Sequence, residues 1–240
     1  MENTVIEESE SVISFLEGKN VFIFDTETTG LPDKVPGSRW GTASEYWDYR
    51  MSEKYRSARI VSIAWAFVNS FDKLALEGEM KSIQHHIRYP EGFTEIPTTH
   101  IHGISFETAV NTGIPFGDIF ENCGLYDKLL NTDYIIAHNV MFDVHILLNE
   151  LFQLGTDKSN EVIMHIQSLL ALGKCICTGV LGTDICKIEY KSRWGSCKQA
   201  KKYKMPKLVE LYRHFYGCDF DDAHSADGDV RALLKCLVKM

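Results

Sequence analysis

The feature that most constrains this chain is a short apolar run, Val21-Phe22-Ile23-Phe24, that ends abruptly in Asp25-Thr26-Glu27 and a Thr28-Thr29-Gly30 turn. The run predicts a strand over residues 20–25 that stops at a carboxylate. Asp25 and Glu27 are two residues apart, so the strand period of two puts both side chains on one face at the strand end. Two like charges this close repel, and a divalent cation relieves the repulsion better than a single Lys. Taken alone, the pair reads more readily as two solvated acids.

The rest of the chain supplies a frame for that strand. Residues 59–68 and 80–89 have strand composition and should pair with it. Residues 133–137 form a second short apolar run that ends at His138-Asn139, after which Phe142, Ile146, Leu147 and Leu151 switch to helical spacing. Helices are predicted near residues 12–16, after Ser105 as N-cap, over 116–130 and 160–172, from Pro206 to Gly217, and from Ser225 onward, with a short strand at 174–178. Strands first, then strand and helix in alternation, predict an α/β domain with a mixed sheet covered by helices. The predicted organisation is a helical extension over 1–19 and one domain over 20–240. A polar, aromatic-rich insertion at about 33–56 has no clear period.

Bulk properties exclude several classes. At 240 residues and 45% hydrophobic composition the chain can bury one substantial core. It has no run of about 18 apolar residues, so no membrane partner is expected. Glu2, Glu7, Glu8 and Glu10 oppose a secretory leader, so an intracellular, cytoplasmic or nuclear location is expected. Seven scattered cysteines suggest reduced thiols; Cys175, Cys177, Cys186 and Cys197 lack the spacing of a zinc site. A net charge of −8 is unusual for a nucleic-acid binder. The sum hides a basic segment at about 187–207, in which Lys187, Lys191, Arg193, Lys198, Lys201, Lys202, Lys204 and Lys207 face only Glu189. Trp194 lies among them and offers either a base-stacking surface or a core contact.

Three further residues extend the acid pair. Asp143 falls in the first turn of the helix after His138-Asn139, and it approaches the first strand if the two strands are neighbours. His224-Ser225-Ala226-Asp227-Gly228-Asp229 opens the last helix, with Asp227 and Asp229 competing as a fourth acid. Four acids and a His suit two-metal phosphodiester cleavage, in which cations activate water and steady the leaving oxygen. A His ordinarily titrates near pH 6.5, which suits a base acting at physiological pH.

These segments resemble the DEDD exonuclease superfamily. Phe24-Asp25-Thr26-Glu27-Thr28-Thr29-Gly30-Leu31 is similar to its first motif, Ala137-His138-Asn139 through Phe142-Asp143 to its second, and His224 with Asp229 to the third of the DEDDh branch. The resemblance runs from about residue 20 to the C-terminus and includes Ile101-His102-Gly103-Ile104. It is nearest to the proofreading subunits of bacterial DNA polymerase III and, in Ser225-Ala226-Asp227-Gly228-Asp229, to TREX-type DNA exonucleases. It implies a ribonuclease H-like fold, two Mg²⁺ or Mn²⁺ ions held by Asp25, Glu27, Asp143 and Asp229, and His224 as general base. It also implies nucleotide contacts from Thr26, Thr28, Thr29, Leu31, Ile101, His102, Asn139 and Phe142. The expected activity is 3′→5′ removal of nucleoside 5′-monophosphates from DNA 3′ ends, single-stranded or mismatched. Alternatives are RNA trimming, a small-nucleotide or phosphate-ester hydrolase, and an idle nucleic-acid-binding domain. No polymerase or repair partner can be named from the sequence.

Overall fold

A computed structural model describes residues 11–38, 42–189 and 203–240. The apolar run forms β1 (Val21–Thr28), which continues through the acids to the Thr28-Thr29 turn. β1 is central in a five-stranded sheet of order β3-β2-β1-β4-β5, with β2 (Ile60–Val68), β3 (Gln84–Ile87), β4 (Tyr134–Ala137) and β5 (Cys175–Cys177). β2 and β3 join as antiparallel neighbours, whereas β4 and β5 run parallel to β1. Parallel strands need covered faces, and helices cover both here.

One face of β1 presents Phe22 and Phe24 to α5 (Phe116–Asn122), α6 (Leu125–Leu130), α7 (Val140–Leu154) and α8 (Asp157–Ala171). The other presents Val21 and Ile23 to α1 (Val12–Leu16), α2 (Lys73–Glu79), α10 (Leu208–Tyr216) and α11 (Ala226–Leu237). Strand alternation therefore decides which helix each β1 side chain meets. Asp25 and Glu27 share the α11 face with Val21 and Ile23; Thr26 shares the α7 face.

Several boundaries differ from the sequence reading. The helix expected over 116–130 breaks into α5 and α6 at Cys123-Gly124, where Gly124 adopts φ +84°, a left-handed conformation that a side chain disfavours. The strand expected over 80–89 shrinks to β3, and Asp72 caps α2 before it. The short helices α3 (Thr99–His102) and α9 (Thr178–Cys186) were not foreseen; α4 (Phe106–Thr112) starts at the expected Ser105 cap.

The 33–56 insertion is docked on α7. Asn149 Nδ2 donates to the Tyr49 carbonyl at 2.7 Å, Tyr46 stacks on His145 with centroids 4.7 Å apart, and Tyr55 is wholly buried. Among the described residues, no helix is long and apolar enough to cross a membrane.

Candidate active site

Asp25 and Glu27 are the half-buried positions at the end of an otherwise buried strand. α11 crosses that end, and one carboxylate oxygen from each of Asp25, Glu27 and Asp229 lies within 4.8 Å of the other two. Asp227 points elsewhere, with its Oδ1 3.5 Å from His85 Nδ1. Of the two competing acids, α11 thus brings Asp229 to the pair.

Asp143 arrives from the opposite face. The parallel ladder between β1 and β4 ends at Ile23–Ile136, and the chain then turns through Asn139, at φ +71°, into α7. Beyond the end of β4 the Thr26 amide donates to Asp143 Oδ1 at 3.1 Å, and the Thr26 hydroxyl donates to the same oxygen at 2.7 Å. Both bonds fall on Oδ1, which leaves Oδ2 for another ligand. Thr26 is buried, and its amide and hydroxyl both meet Asp143.

The four acids disturb one another. Burial, then the charges of Asp143, Asp229 and Glu27, holds the Asp25 carboxyl well above its ordinary range. Burial, then Asp229 and Asp143, raises Glu27 to about 8. Asp143 and Asp229 rise to about 7, chiefly through burial, although hydrogen bonds from Thr26 and from the His224 amide oppose the change. Every charge named in these shifts belongs to another carboxylate. A site of four crowded acids without a matching cationic side chain among their perturbers fits the oxygen-donor chemistry of a hard divalent cation.

His224 lies on the exposed turn before α11, at φ +69°, and its amide approaches Asp229 Oδ1 at 3.4 Å. Gly228 makes that turn possible. A Cβ on Gly228 would sit 2.4 Å from the Asp222 carbonyl oxygen and 2.7 Å from Ser225 Oγ, so any side chain would push the His224 turn off the helix. Ser225 closes the turn: its hydroxyl donates to the Asp222 carbonyl and accepts from the Gly228 amide.

The remaining residues form a rim with mixed roles. Leu31, three residues beyond β1, and Ile101, in α3 whose N-cap Thr98 donates to the Thr28 carbonyl, are exposed apolar side chains at 66% and 48% exposure. His102 is buried instead: the Ile104 amide donates to its Nδ1, its Nε2 meets Thr98 Oγ1 at 3.0 Å, and Thr98 in turn donates to the Thr28 carbonyl at 2.6 Å. This relay braces the strand end, and burial followed by the His100 charge lowers the His102 pKa. Thr28 Oγ1 donates to the Gly30 carbonyl, and Thr29 Oγ1 donates to the Ser57 carbonyl while accepting from the Arg59 amide. Phe142 is partly buried against the α7-side core, and Asn139 remains half-buried beside it. Sequence reasoning missed Thr98 and Ser57, because their partners lie far away in the chain. Lys191, Arg193, Trp194, Cys197, Lys198, Lys201 and Lys202 lie outside the described residues. Cys123, Cys175, Cys177, Cys186, Cys218 and Cys236 are free thiols, and the candidate metal-holding group among the described residues includes none of them.

Comparison with known proteins rests on structure. No family model matches the chain. No curated protein matches it either. Among solved structures, it is similar to E. coli exonuclease I in complex with a dT13 oligonucleotide, at 15% identity and a TM-score of 0.59 over 92% of this chain and 41% of that one. The zinc-bound exonuclease I–ssDNA complex matches at 13% identity and TM-score 0.57, over 91% of this chain and 39% of that one. A 3′-exonuclease described for 3′-end-specific recognition of a histone mRNA stem-loop matches at 13% identity and TM-score 0.56, over 97% of this chain and 66% of that one. The chain spans about 40% of the length of the exonuclease I chains it matches. Together with the mixed sheet and its two helical layers, these likenesses establish a ribonuclease H-like α/β fold, the fold of 3′-exonucleases.

Proposed function

We propose that this chain is a metal-dependent 3′→5′ exonuclease of the DEDDh type, with residues 20–240 as the exonuclease domain, that releases nucleoside 5′-monophosphates from single-stranded or mismatched DNA 3′ ends. The observation that carries this reading is the convergence of Asp25, Glu27 and Asp229 within 4.8 Å, with the charge of Asp143 acting on Asp25 and Glu27 from the other face. Asp25, Glu27, Asp143 and Asp229 would hold two Mg²⁺ or Mn²⁺ ions. Such ions would supply a lowered water pKa and charge neutralisation of the leaving oxygen. His224, exposed on its turn beside Asp229, takes the proton of the attacking water. Leu31 and Ile101 offer apolar surface to the terminal nucleotide, and Thr26 and His102 act behind the surface by fixing Asp143 and the Thr28 backbone. The free thiols fit an intracellular place of action.

DNA is favoured by the similarity of the first and third motifs to DNA-acting branches and by the ssDNA complexes of exonuclease I. The histone mRNA match favours RNA trimming as the second reading. Matched 5′-labelled DNA and RNA oligomers, incubated with Mg²⁺, Mn²⁺ or chelator, separate the two. We expect a ladder shortening from the 3′ end on DNA, abolished by chelation. Cleavage independent of divalent metal would overturn the mechanism; faster decay of the RNA would overturn the substrate.

A further inference from the structure

Among the described residues, three buried side-chain polar atoms lack a hydrogen-bond partner: Ser62 Oγ, His86 Nε2 and Arg88 Nε. Two have an evident structural setting. His86 stacks on Trp65, and Arg88 engages Glu150 through another nitrogen. Ser62 has neither, although it is wholly buried in β2, beside the central strand β1. An unmet buried hydroxyl costs free energy, so its location asks for a partner that the protein alone does not supply.

The sheet register says where that partner lies. Ser62 pairs directly with Glu27 across the antiparallel β1–β2 ladder, one step from the irregularity between Glu27 and Thr28. Directly opposed residues project from the same face with Cβ atoms roughly 4.5–5.5 Å apart. That face carries Asp25 and Glu27 and is crossed by α11. On its other side Ser62 pairs with Ile87, which offers no polar atom, while His85 in the next row meets Asp227. Glu27 is therefore the polar side chain in Ser62's row.

We propose that Ser62 is a positioning residue for Glu27: its hydroxyl donates to the Glu27 carboxylate when that carboxylate turns to a bound cation, and so fixes the orientation of the ligand. The proposal rests on the reading of the acid cluster as a cation site. Outer partners of this kind orient ligating carboxylates and commonly change metal affinity by 10–100-fold. The same hydroxyl contributes nothing to the metal-free chain, where it is unpaired. Ser62→Ala separates these states, because the smaller apolar side chain removes the unpaired donor and requires no extra space.

The test uses the full chain with Mn²⁺ as the probe, read by electron paramagnetic resonance of free Mn²⁺ and by thermal melting. Ser62→Ala should weaken Mn²⁺ binding about tenfold and leave the metal-free Tm unchanged or higher. Exonuclease activity should fall at limiting Mn²⁺ and recover at saturating Mn²⁺, with the oligomer KM unchanged. A Kd for Mn²⁺ within twofold of the unmodified chain overturns the proposal. So does a metal-free Tm lowered by several degrees, which would make Ser62 an ordinary core residue. The underlying reading fails separately: if the unmodified chain binds no Mn²⁺, or if Asp229→Asn does not weaken the binding, the cluster is no cation site and the role of Ser62 falls with it.

Discussion

Helix α7 carries two carboxylates of almost equal burial and opposite fate. Asp143 and Glu150 are each 2% exposed and lie two turns apart. Glu150 receives Arg59 in a two-pronged contact at 2.8 and 2.9 Å, Arg88 at 2.6 Å and the Ile60 amide at 3.1 Å. Burial works to raise its pKa, but Arg88 and then Arg59 outweigh it, and the carboxyl is held below its ordinary range. Asp143 has two donors from Thr26 and, among the described residues, no arginine, and burial, then the charge of Asp229, pushes it up to about 7. The chain thus completes one buried acid with its own arginines and leaves the other cluster short of positive charge. The first arrangement locks the 59–60 backbone, and with it the Thr29 turn; the second, on the proposed function, takes a cation from solution.

The largest effects come from exchanging these roles. Glu150→Ala strands two buried guanidiniums and should destabilise the fold by about 3–5 kcal/mol, the usual loss when one partner of a buried ion pair is removed. Asp143→Asn, equally buried, should keep the fold and remove nearly all activity. Asp25→Ala, Glu27→Ala and Asp229→Ala should behave like Asp143→Asn, while Asp227→Ala keeps most turnover. Melting curves beside oligomer degradation rates decide the matter. A Glu150→Ala protein as stable as the parent, or an active Asp229→Ala protein, breaks the comparison.

His224 tests whether the cluster needs a proton acceptor as well as a cation. His224→Ala should lower kcat by on the order of a hundredfold or more, the usual contribution of a placed acid–base group. Mn²⁺ affinity should be spared, since the contact from this residue to Asp229 comes from the backbone amide. Undiminished kcat at saturating substrate removes the role. Gly228→Ala should mimic the loss, because its Cβ would strike the Asp222 carbonyl and displace the turn.

A smaller effect follows from the raised carboxyl pKa values. Unfolded carboxyls titrate near 4, whereas Glu27 reaches about 8 and Asp143 and Asp229 about 7 in the folded chain. Between these limits the folded chain binds more protons, so the contribution of these three carboxyls to stability falls as pH rises and is lost above about pH 8, and the raised Asp25 acts with the same sign. Buried His138, depressed to about 4, acts with the opposite sign below about pH 6.5. The informative window is therefore pH 6.5 to 8.5. Metal-free Tm should fall across it, Asp229→Asn should flatten the fall, and Mn²⁺ should raise Tm more at pH 8.5 than at 6.5. A Tm rising with pH across that window contradicts the repulsive cluster.

The contrast also explains what the sequence disclosed. β1, the first turn of α7 and the start of α11 were legible because apolar period, cap and acid spacing are local signals: Val21 to Glu27 and Ser225 to Asp229 each fit within one element. Glu150 was not, since Arg59 lies 91 residues away and nothing near Glu150 announces it. The docking of the 33–56 insertion was hidden for the same reason, because Asn149 meets Tyr49 across 100 residues. α9 escaped because Thr178–Cys186 contains two glycines and two threonines, poor helix formers, and its helix is held by packing on α10. Thr26 and His102 were singled out for nucleotide contact, but their burial and their bonds to Asp143 and Thr98 were not legible, since they depend on the fold.

The smallest effect concerns a third supply of positive charge, the 187–207 segment. Glu150 takes its arginines internally and, on the proposed function, the acid cluster takes a cation from solution, but a polyanionic substrate would still need charge along its backbone in a chain of net charge −8. Lys198, Lys201 and Lys202 are close enough in sequence to serve one stretch of phosphates. Each phosphate neutralised on a single strand contributes about 0.7 to the slope of log affinity against log salt, so changing all three to Gln should flatten that slope by up to about 2. Fluorescence anisotropy of a labelled oligomer over a salt series measures it. Hydrolysis of a chromogenic thymidine 5′-monophosphate ester, which needs the acid cluster but no extended strand, should stay nearly unchanged. An unaltered slope means these lysines do not touch the strand. Equal losses on oligomer and ester would instead place the segment within the catalytic centre, so that substrate charge and cation charge are no longer supplied separately.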